Sequence, residues 1–294
     1  MPTLIRGDLS ERLQSLGGLH SIKSLQTQPA VIARITRMLQ NPATNAEELG
    51  LAIKTDQGLV SRVLKLVNSA FYGFPGKIGS ISHAVVLLGF STVKNIVLTA
   101  SVLDIFKTNS GGLFNSRAVW KHSLACGVSA QCLARAVGYE FQEECFVAGL
   151  LHDIGKVVLF QLAPNDFSRV VECAEKTKTL FYDTECKILG INHQEIGGML
   201  IEQWRLPAKI LGAVSSHHNP AAPAENDDPK LTAIVHCADI FARALGYGNG
   251  GDKKIPMIDD IAWDTLNLDG VNLERLFDTI GSEWEKAETY VQEV

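Results

Sequence analysis

The sequence has no long hydrophobic run and no block of like charges, and each absence excludes a class of protein. Its longest uninterrupted apolar run, AVVLLGF at residues 84–90, is far too short to span a bilayer. The 294 residues carry 27 basic and 32 acidic side chains, a net charge of −5, without the basic patch that nucleic-acid binding requires. The first residues, MPTLIRGDLSERL, lack the apolar core of a secretory signal. These features predict a cytoplasmic protein that binds neither membranes nor nucleic acid.

The cysteines also lack the close spacing of paired thiols. Six cysteines occur, none in a CxxC motif, and most lie in apolar stretches. Buried free thiols in a reducing cytosol are therefore favoured over disulfides. With 46% hydrophobic and 20% charged residues, the composition is that of an ordinary soluble globular protein.

Strand-like alternation is missing as well, and no repeat of about 34 or 40 residues indicates a solenoid. Apolar residues instead recur at helical spacing, as in VIARITRMLQ and GLVSRVLKLVNS, and residues 44 and 47 have the spacing of a capping box. The Gly-, Asn- and Ser-rich segment at 108–116 is the best internal boundary. We predict an all-α protein with two packed helical subdomains, 1–107 and 108–252, and a C-terminal helical extension at 253–294. The amphipathic helix near its end either packs on the core or serves a partner.

Histidine and aspartate recur where the sequence otherwise reads as apolar. They occur in five stretches, WKHS, LLHDIGK, INHQE, SSHHNP and HCADIF, and four of these lie in apolar segments. Burying an imidazole or a carboxylate is costly unless a partner binds it, and a metal centre would satisfy many such groups at once. The candidate metal ligands are His122, His152, Asp153, His193, His217, His218 and Asp239.

Five of the seven candidates also have an ordinary structural interpretation. A lone His122 on an apolar helix face is more often a satisfied core histidine than a ligand. Asp153 could instead accept amide hydrogen bonds from a neighbouring helix, and the histidines at 217–218 could form a solvated helix end. Asp239 could pair with a metal or with Arg243, and the other candidates nearby favour the metal.

Residues 143–162 read as one apolar helix that carries His152 and Asp153. Adjacent residues on a helix point about 100° apart, so this pair could bind one ion from two sides, or the aspartate could bridge two ions. Gly155 would leave room for a substrate. Residues 164–190 read as two polar helices that cover the site, and Asn192 with Glu195 has the spacing of a capping box.

The order H…HD…H…HH…D on successive helices resembles the HD-domain superfamily of metal-dependent phosphohydrolases. HDIGK with the late HH and D resembles its HD-GYP branch. Over roughly residues 15–245, IKTDQGLVSRVLKLVNSAFYG and ISHAVVLLGFSTVKNIVL resemble the HDOD family of bacterial signal-output modules. HDOD members commonly lack much of the metal set, whereas all seven candidates here match the fuller pattern. NPAAPAEN stands where the HD-GYP branch has its GYP loop, so the resemblance does not extend to hydrolysis of cyclic di-GMP.

The resemblance implies an HD-like helical bundle in the second subdomain, with a site for two divalent transition metals. Mixed imidazole and carboxylate ligands suit Fe, Mn, Zn or Ni better than Mg. Two ions about 3.5–4 Å apart would lower the pKa of a bridging water, and the resulting hydroxide would attack phosphorus. Asp153 and Lys156 would then be catalytic, the lysine neutralising phosphate charge, although an exposed helix lysine is its plainer interpretation. One ion would be held by His122, His152, Asp153 and Asp239, the other by His193, His217 and His218 with Asp153 bridging.

Two functions from different classes follow. The first is a metal-dependent phosphohydrolase acting on a nucleotide or another phosphoester, which the intact ligand set favours. The second is a non-catalytic signalling module with a structural metal, which the HDOD resemblance favours; its N-terminal helices would bind a signalling protein. We recognise no sensor or receiver domain, so we expect the input signal to come from another chain or from a ligand.

Overall fold

The computed structural model describes residues 38, 41, 44–54, 56–69, 72, 77–106, 115–221, 228–251 and 254–291. In this part of the chain the regular elements are helices and no β-strand occurs, which confirms the predicted all-α fold. The helices are α1 (Ala46–Lys54), α2 (Gln57–Val67), α3 (Ile81–Leu88), α4 (Phe90–Phe106), α5 (Ser116–Ala136), α6 (Gln142–Leu151), α7 (Ile154–Leu162), α8 (Pro164–Thr177), α9 (Phe181–Ile188), α10 (His193–Gln203), α11 (Ala208–Ser216), α12 (Pro229–Ala244), α13 (Asp260–Leu266) and α14 (Leu273–Val291), with a 3₁₀ turn at Leu268–Gly270.

Side-chain caps set where helices begin. Asn192 and Glu195 form the predicted capping box at the start of α10, each side chain bonding the other's backbone N–H. The box predicted at residues 44 and 47 forms one residue later. Asn45 accepts the N–H of Glu48 at 2.9 Å, and the Glu48 carboxylate accepts the N–H of Asn45 at 3.3 Å.

Helix α5 is the centre of the fold. It packs against α6, α12 and α14, and its residues from 122 to 134 are buried throughout. Gly127 and Gly149 allow the close approach of α5 and α6. A Cβ on Gly127 would lie 2.9 Å from the carbonyl oxygen of Phe146, and one on Gly149 would lie 2.8 Å from that of Cys126. Helix α10 packs on α7 and α11, and α11 packs on α12. These four helices surround the buried region into which the candidate ligands project.

The amphipathic helix of the C-terminal extension packs back on the core. Leu276, Ile280 and Trp284 recur along one face of α14 and are buried, and α14 contacts α5. Lys121 of α5 also pairs with Glu288 at 2.7 Å. The apolar face of this helix is therefore used within the chain.

The longest apolar helical stretch lies inside the protein. Of the described residues, only Gln142–Leu162 have the length and apolarity of a membrane-crossing helix, and 89% of that window is buried. The single helix predicted over 143–162 is interrupted at His152 and Asp153, because α6 ends at Leu151 and α7 begins at Ile154. All six cysteines are free thiols, as predicted.

The N-terminal helices α1 to α4 pack on one another, and α4 joins them to α5, α6 and α7. Buried apolar residues form one cluster that extends from Leu49 to Ala287. The segment 108–114 and most of the predicted helix at 31–39 lie outside the described residues. The division at residues 107 and 252 stays a prediction.

Candidate metal centre

The turn between α6 and α7 directs two candidate ligands into the buried region. His152 has αR backbone geometry and Asp153 has φ −101° and ψ 8°, which interrupts the helix at this pair. The Nδ1 of His152 donates to the carbonyl of Gly149 at 2.7 Å. Its Nε2 therefore faces the carboxylates, 3.4 Å from Asp153 Oδ2 and 3.7 Å from Asp239 Oδ1.

Gly155 brings helix α7 against the first turn of α10. A Cβ on this residue would lie 2.0 Å from the carbonyl oxygen of His193, closer than any real side chain can approach. The glycine thus serves helix packing, whereas the sequence had indicated room for a substrate. The close approach leaves His193 Nε2 3.3 Å from Asp153 Oδ1.

The imidazoles of His193, His217 and His218 converge on one carboxylate oxygen, Asp153 Oδ1. We call these four ligands the three-histidine half of the candidate metal centre. The Nε2 of His193 lies 3.3 Å from Nε2 of His217 and 3.1 Å from Nε2 of His218. Asp153 Oδ1 lies 3.9 Å from Nε2 of His217. The ligand atoms of these four residues all lie within 4.8 Å of one another.

This geometry fits a divalent transition metal. Two nitrogens bound to one ion at about 2.0–2.1 Å are about 3.0–3.4 Å apart, and the observed spacings fall in that interval. The Nδ1 of His217 donates to Val214 at 2.9 Å and that of His193 to Glu185 at 2.5 Å, so each Nε2 carries a lone pair. Lone pairs that face one another repel unless a cation lies between them. Asp153 Oδ1 is buried without a hydrogen-bond partner among the described residues.

The remaining candidates form the ion-paired half: His122, His152, Asp239 and Asp153 Oδ2. Its ligand atoms also lie close together, with His122 Nε2 2.8 Å from Asp239 Oδ1 and 3.8 Å from Asp153 Oδ2. Here, however, the carboxylates have basic partners. Arg243 Nε donates to Asp239 Oδ1 at 2.7 Å, so Asp239 has the arginine partner that the sequence left as the alternative to a metal.

Lys156 is the second basic partner, and it is fully buried, contrary to its interpretation as an exposed helix lysine. Its Nζ donates to Asp153 Oδ2 at 2.7 Å and to the carbonyl of Gly250 at 2.6 Å. Gly250 belongs to a loop that packs across the centre. In that loop Gly248 has φ +79°, and a Cβ there would lie 2.3 Å from the backbone nitrogen of His122. Only glycine fits both the conformation and the space.

Burial sets the protonation of these groups. It lowers the pKa of His217 to about 3 and holds the pKa of His193 well below its usual range, so both rings are neutral, as metal ligands must be. Burial also opposes ionisation of Asp153. The neighbouring His152 and Lys156 outweigh that effect and hold the pKa of the Asp153 carboxyl well below its usual value.

Glu185 is a site residue that the sequence did not reveal. It is fully buried, and its Oε2 accepts from both Nδ1 and the backbone N–H of His193. It lies on α9, in the stretch 164–190, which forms the two predicted helices and whose polar sequence predicts only an outer cover for the site. An acidic partner on the outer nitrogen of a ligand histidine orients the ring and raises its basicity.

Glu185→Gln should therefore weaken metal binding by about 10–100-fold, the usual effect of removing an outer-shell partner. Competition with a chromogenic chelator measures the affinity. Glu172→Gln is the matched control, because Glu172 on the adjacent helix α8 makes only an exposed pair with Lys176. Equal affinity in the two variants would contradict a role for Glu185 at the centre.

A cavity of about 680 Å³ opens beside the centre and reaches two candidate ligands, His218 and Asp239. His218 is partly exposed, whereas the other candidate ligands are buried. The cavity therefore offers access from one side. Aromatic residues of α9, basic residues and the segment before α13 contribute to its wall, among them Phe181, Tyr182, Arg243, Lys254, Ile255 and Met257.

Solved structures share this architecture. An HDOD domain protein of unknown function from Geobacter sulfurreducens is 27% identical, with a TM-score of 0.75 and 97% of each chain covered. A protein from Shewanella amazonensis, provisionally assigned as a phosphohydrolase, is 24% identical with a TM-score of 0.71, covering 96% of this chain and 99% of its own. At that lower identity the likeness concerns the fold alone.

Sequence comparisons agree with the fold. An uncharacterized protein of Treponema pallidum is 27% identical over 237 residues, which is 80% of this chain and 45% of that protein. The chain thus spans about half the length of this curated relative. Residues 25–220 match the HDOD domain family, more than half of the sequence. The chain belongs to the HDOD domain family.

Proposed function

We propose that this protein is a metal-dependent phosphohydrolase within an HDOD signalling module, acting on a nucleotide or another phosphoester. The observation that carries the proposal is the convergence of three imidazole Nε2 atoms on Asp153 Oδ1, beside an open cavity. Most members of a purely structural cluster would be satisfied by protein partners, yet this carboxylate oxygen has none among the described residues. A bound transition metal would supply an acidified water and positive charge for a phosphoryl group.

The chain's own residues hold and orient the ligands. Lys156 fixes Asp153 through Oδ2 and so leaves Oδ1 directed at the histidines. Glu185 fixes His193, and the carbonyl of Val214 fixes His217. The proposed contact of Lys156 with a phosphate stays a prediction, because its Nζ is bonded to Asp153 and Gly250 in this structure.

The cavity supports a phosphoester with an organic part. Arg243 and Lys254 on its wall offer donors to a phosphate. The cavity is also lined by four aspartates, Asp183, Asp239, Asp259 and Asp260, so a bound metal would have to supply most of the positive charge. Tyr182 and the exposed Met257 offer surface on which a planar base or another apolar group can pack. His218, which lies between these walls and the buried ligands, is where substrate and metal would meet.

A direct test is hydrolysis of a generic aryl phosphodiester by protein stripped with a chelator and then reloaded with Mn²⁺. We expect turnover only after reloading, and its loss in His193→Gln because that change removes a nitrogen ligand. Arg205→Gln, remote from the centre, serves as a purification control for contaminating phosphatase. Metal uptake without turnover in any loaded sample would contradict the enzymatic proposal.

Burial of the centre supports the second candidate, a signalling scaffold with a structural metal. His122, His152, Asp153, His193 and His217 are fully buried, and the loop at 248–251 covers one side. In that case removing the metal would lower the melting temperature without any accompanying phosphoesterase activity. A signalling protein partner stays a prediction under both functions.

A further inference from the structure

We infer that the centre holds one tightly bound transition-metal ion, in the three-histidine half, and that Lys156 and Arg243 provide the positive charge where a second ion would otherwise lie. The inference rests on the proposed metal-dependent function. It departs from the two ions that the ligand pattern predicts, because the two halves differ in hydrogen bonding, in ion pairing and in charge.

The first difference is the direction of the imidazole lone pairs. The Nδ1–H groups of His193 and His217 donate to Glu185 and to the carbonyl of Val214, so the Nε2 lone pairs of both rings face the centre. His152 of the ion-paired half shares this arrangement, since its Nδ1 donates to Gly149, whereas His122 has the opposite one. The Nε2 of His122 is 2.8 Å from Asp239 Oδ1, and its buried Nδ1 has no hydrogen-bond partner in the described part of the chain. A buried N–H without a partner is rarer than an unused lone pair, so the hydrogen of His122 lies on Nε2 and donates to Asp239.

The second difference is the state of the carboxylate oxygens. Asp153 Oδ1 faces the three histidines without a hydrogen-bond partner among the described residues, whereas Oδ2 of the same group accepts from Lys156. Asp239 Oδ1 accepts from both His122 and Arg243. An ion in the ion-paired half would have to displace these donors.

Displacing Lys156 or Arg243 from the carboxylates is unfavourable, because each cation also donates a hydrogen bond to a backbone carbonyl outside the centre. Lys156 is fully buried and also donates to Gly250, so an ion that took its carboxylate would leave the ammonium without a counter-charge. Arg243 is likewise bonded to the carbonyl of Lys254 at 3.4 Å. The loop and the segment before α13 thus hold the two cations on the carboxylates.

The third difference is the placement of positive charge. Lys156 and Arg243 both pair with carboxylate oxygens of the ion-paired half, Asp153 Oδ2 and Asp239 Oδ1. A divalent ion in that half would lie beside both cations in a region largely removed from water, where like charges repel strongly. This repulsion favours the three-histidine half for the ion.

The test is the number of ions per chain. Protein stripped with a chelator is reloaded with excess Mn²⁺, desalted and measured by elemental analysis and electron paramagnetic resonance. We expect one ion per chain with the spectrum of isolated Mn²⁺, retention of that ion in His122→Gln, and its loss in His193→Gln. Two ions per chain, an exchange-coupled spectrum, or loss of the ion in His122→Gln would overturn the inference.

Lys156→Met tests the role of the ammonium itself. Removing it frees Asp153 Oδ2, so we expect a second, weaker Mn²⁺ ion and an exchange-coupled spectrum in folded variant protein. A folded variant that still binds one ion would overturn the assignment of Lys156 as the excluding charge. If this variant does not fold, the metal contents of His122→Gln and His193→Gln decide whether the inference stands. Turnover plays no part in these readouts, so a single bound ion without hydrolysis would contradict the proposed enzyme and leave the ion count standing.

Discussion

Asp153→Asn is expected to abolish phosphoester hydrolysis and to weaken metal binding by more than about 100-fold, since even outer-shell partners contribute about 10–100-fold. Asp153 supplies the carboxylate oxygen nearest to the three-histidine half, and the amide removes its charge without changing its shape. The free energy of unfolding of the metal-free protein should fall by about 3–5 kcal/mol, because the fully buried Lys156 loses its counter-charge. Chelator competition, phosphodiester turnover and chemical denaturation measure the three effects.

Two further variants separate the metal effect from simple unfolding. Asp166→Asn removes an exposed acid whose partner is Arg169, and its unfolding free energy should change by no more than about 0.5 kcal/mol. The double variant Asp153→Asn with Lys156→Met removes the stranded ammonium, so it should recover stability without recovering metal binding. An Asp153→Asn protein that binds Mn²⁺ with unchanged affinity would refute the assignment of Asp153 as a ligand.

Gly155→Ala should destabilise the protein by about 1–3 kcal/mol or more, the usual effect of forcing atoms into a packed contact. The added Cβ would lie 2.0 Å from the carbonyl oxygen of His193, so α7 and α10 must separate. His193 Nε2 would then move away from Asp153 Oδ1, and metal affinity should fall together with stability. Calorimetry with and without Mn²⁺ measures both effects.

Gly281→Ala is the matched control, because Gly281 also lies inside a helix, α14. A Cβ there would have only the hydroxyl of Tyr247 nearby, at 3.6 Å. Without a clash, alanine favours a helix over glycine by about 0.5–1 kcal/mol, so this variant should be neutral or more stable. The two substitutions are chemically identical, and an equal response would show that the contact with His193 does not govern the α7–α10 packing.

The helices could largely be predicted from the sequence because their signals are local. The capping box of Asn192 and Glu195 and the buried face of α14 both follow from residues a few positions apart. The break between α6 and α7 could not, since apolar residues continue on both sides of His152. The interruption lies in the backbone conformation of Asp153, which an apolar pattern that continues past it does not reveal.

The candidate ligands could be identified because polar groups in apolar helices require partners. Glu185 could not, since it lies among other polar residues of 164–190 and its burial depends on how α9 packs. The burial of Lys156 was also hidden. Its position one turn after His152 suits an exposed residue equally well, and the groups that enclose it, the carbonyl of Gly250 and the ring of Phe181, are distant in sequence. Sequence spacing thus indicated which residues could meet and offered Arg243 as a partner for Asp239, but it did not reveal the pairing of Lys156 with Asp153.

The position of bound metal tests the central claim most directly. A crystal of Mn²⁺-loaded protein, with diffraction collected at the manganese edge, should show an anomalous peak at about 2.0–2.2 Å from the Nε2 atoms of His193, His217 and His218 and from Asp153 Oδ1. A peak elsewhere, or those four atoms satisfied by ordered water alone in loaded crystals, would contradict the account.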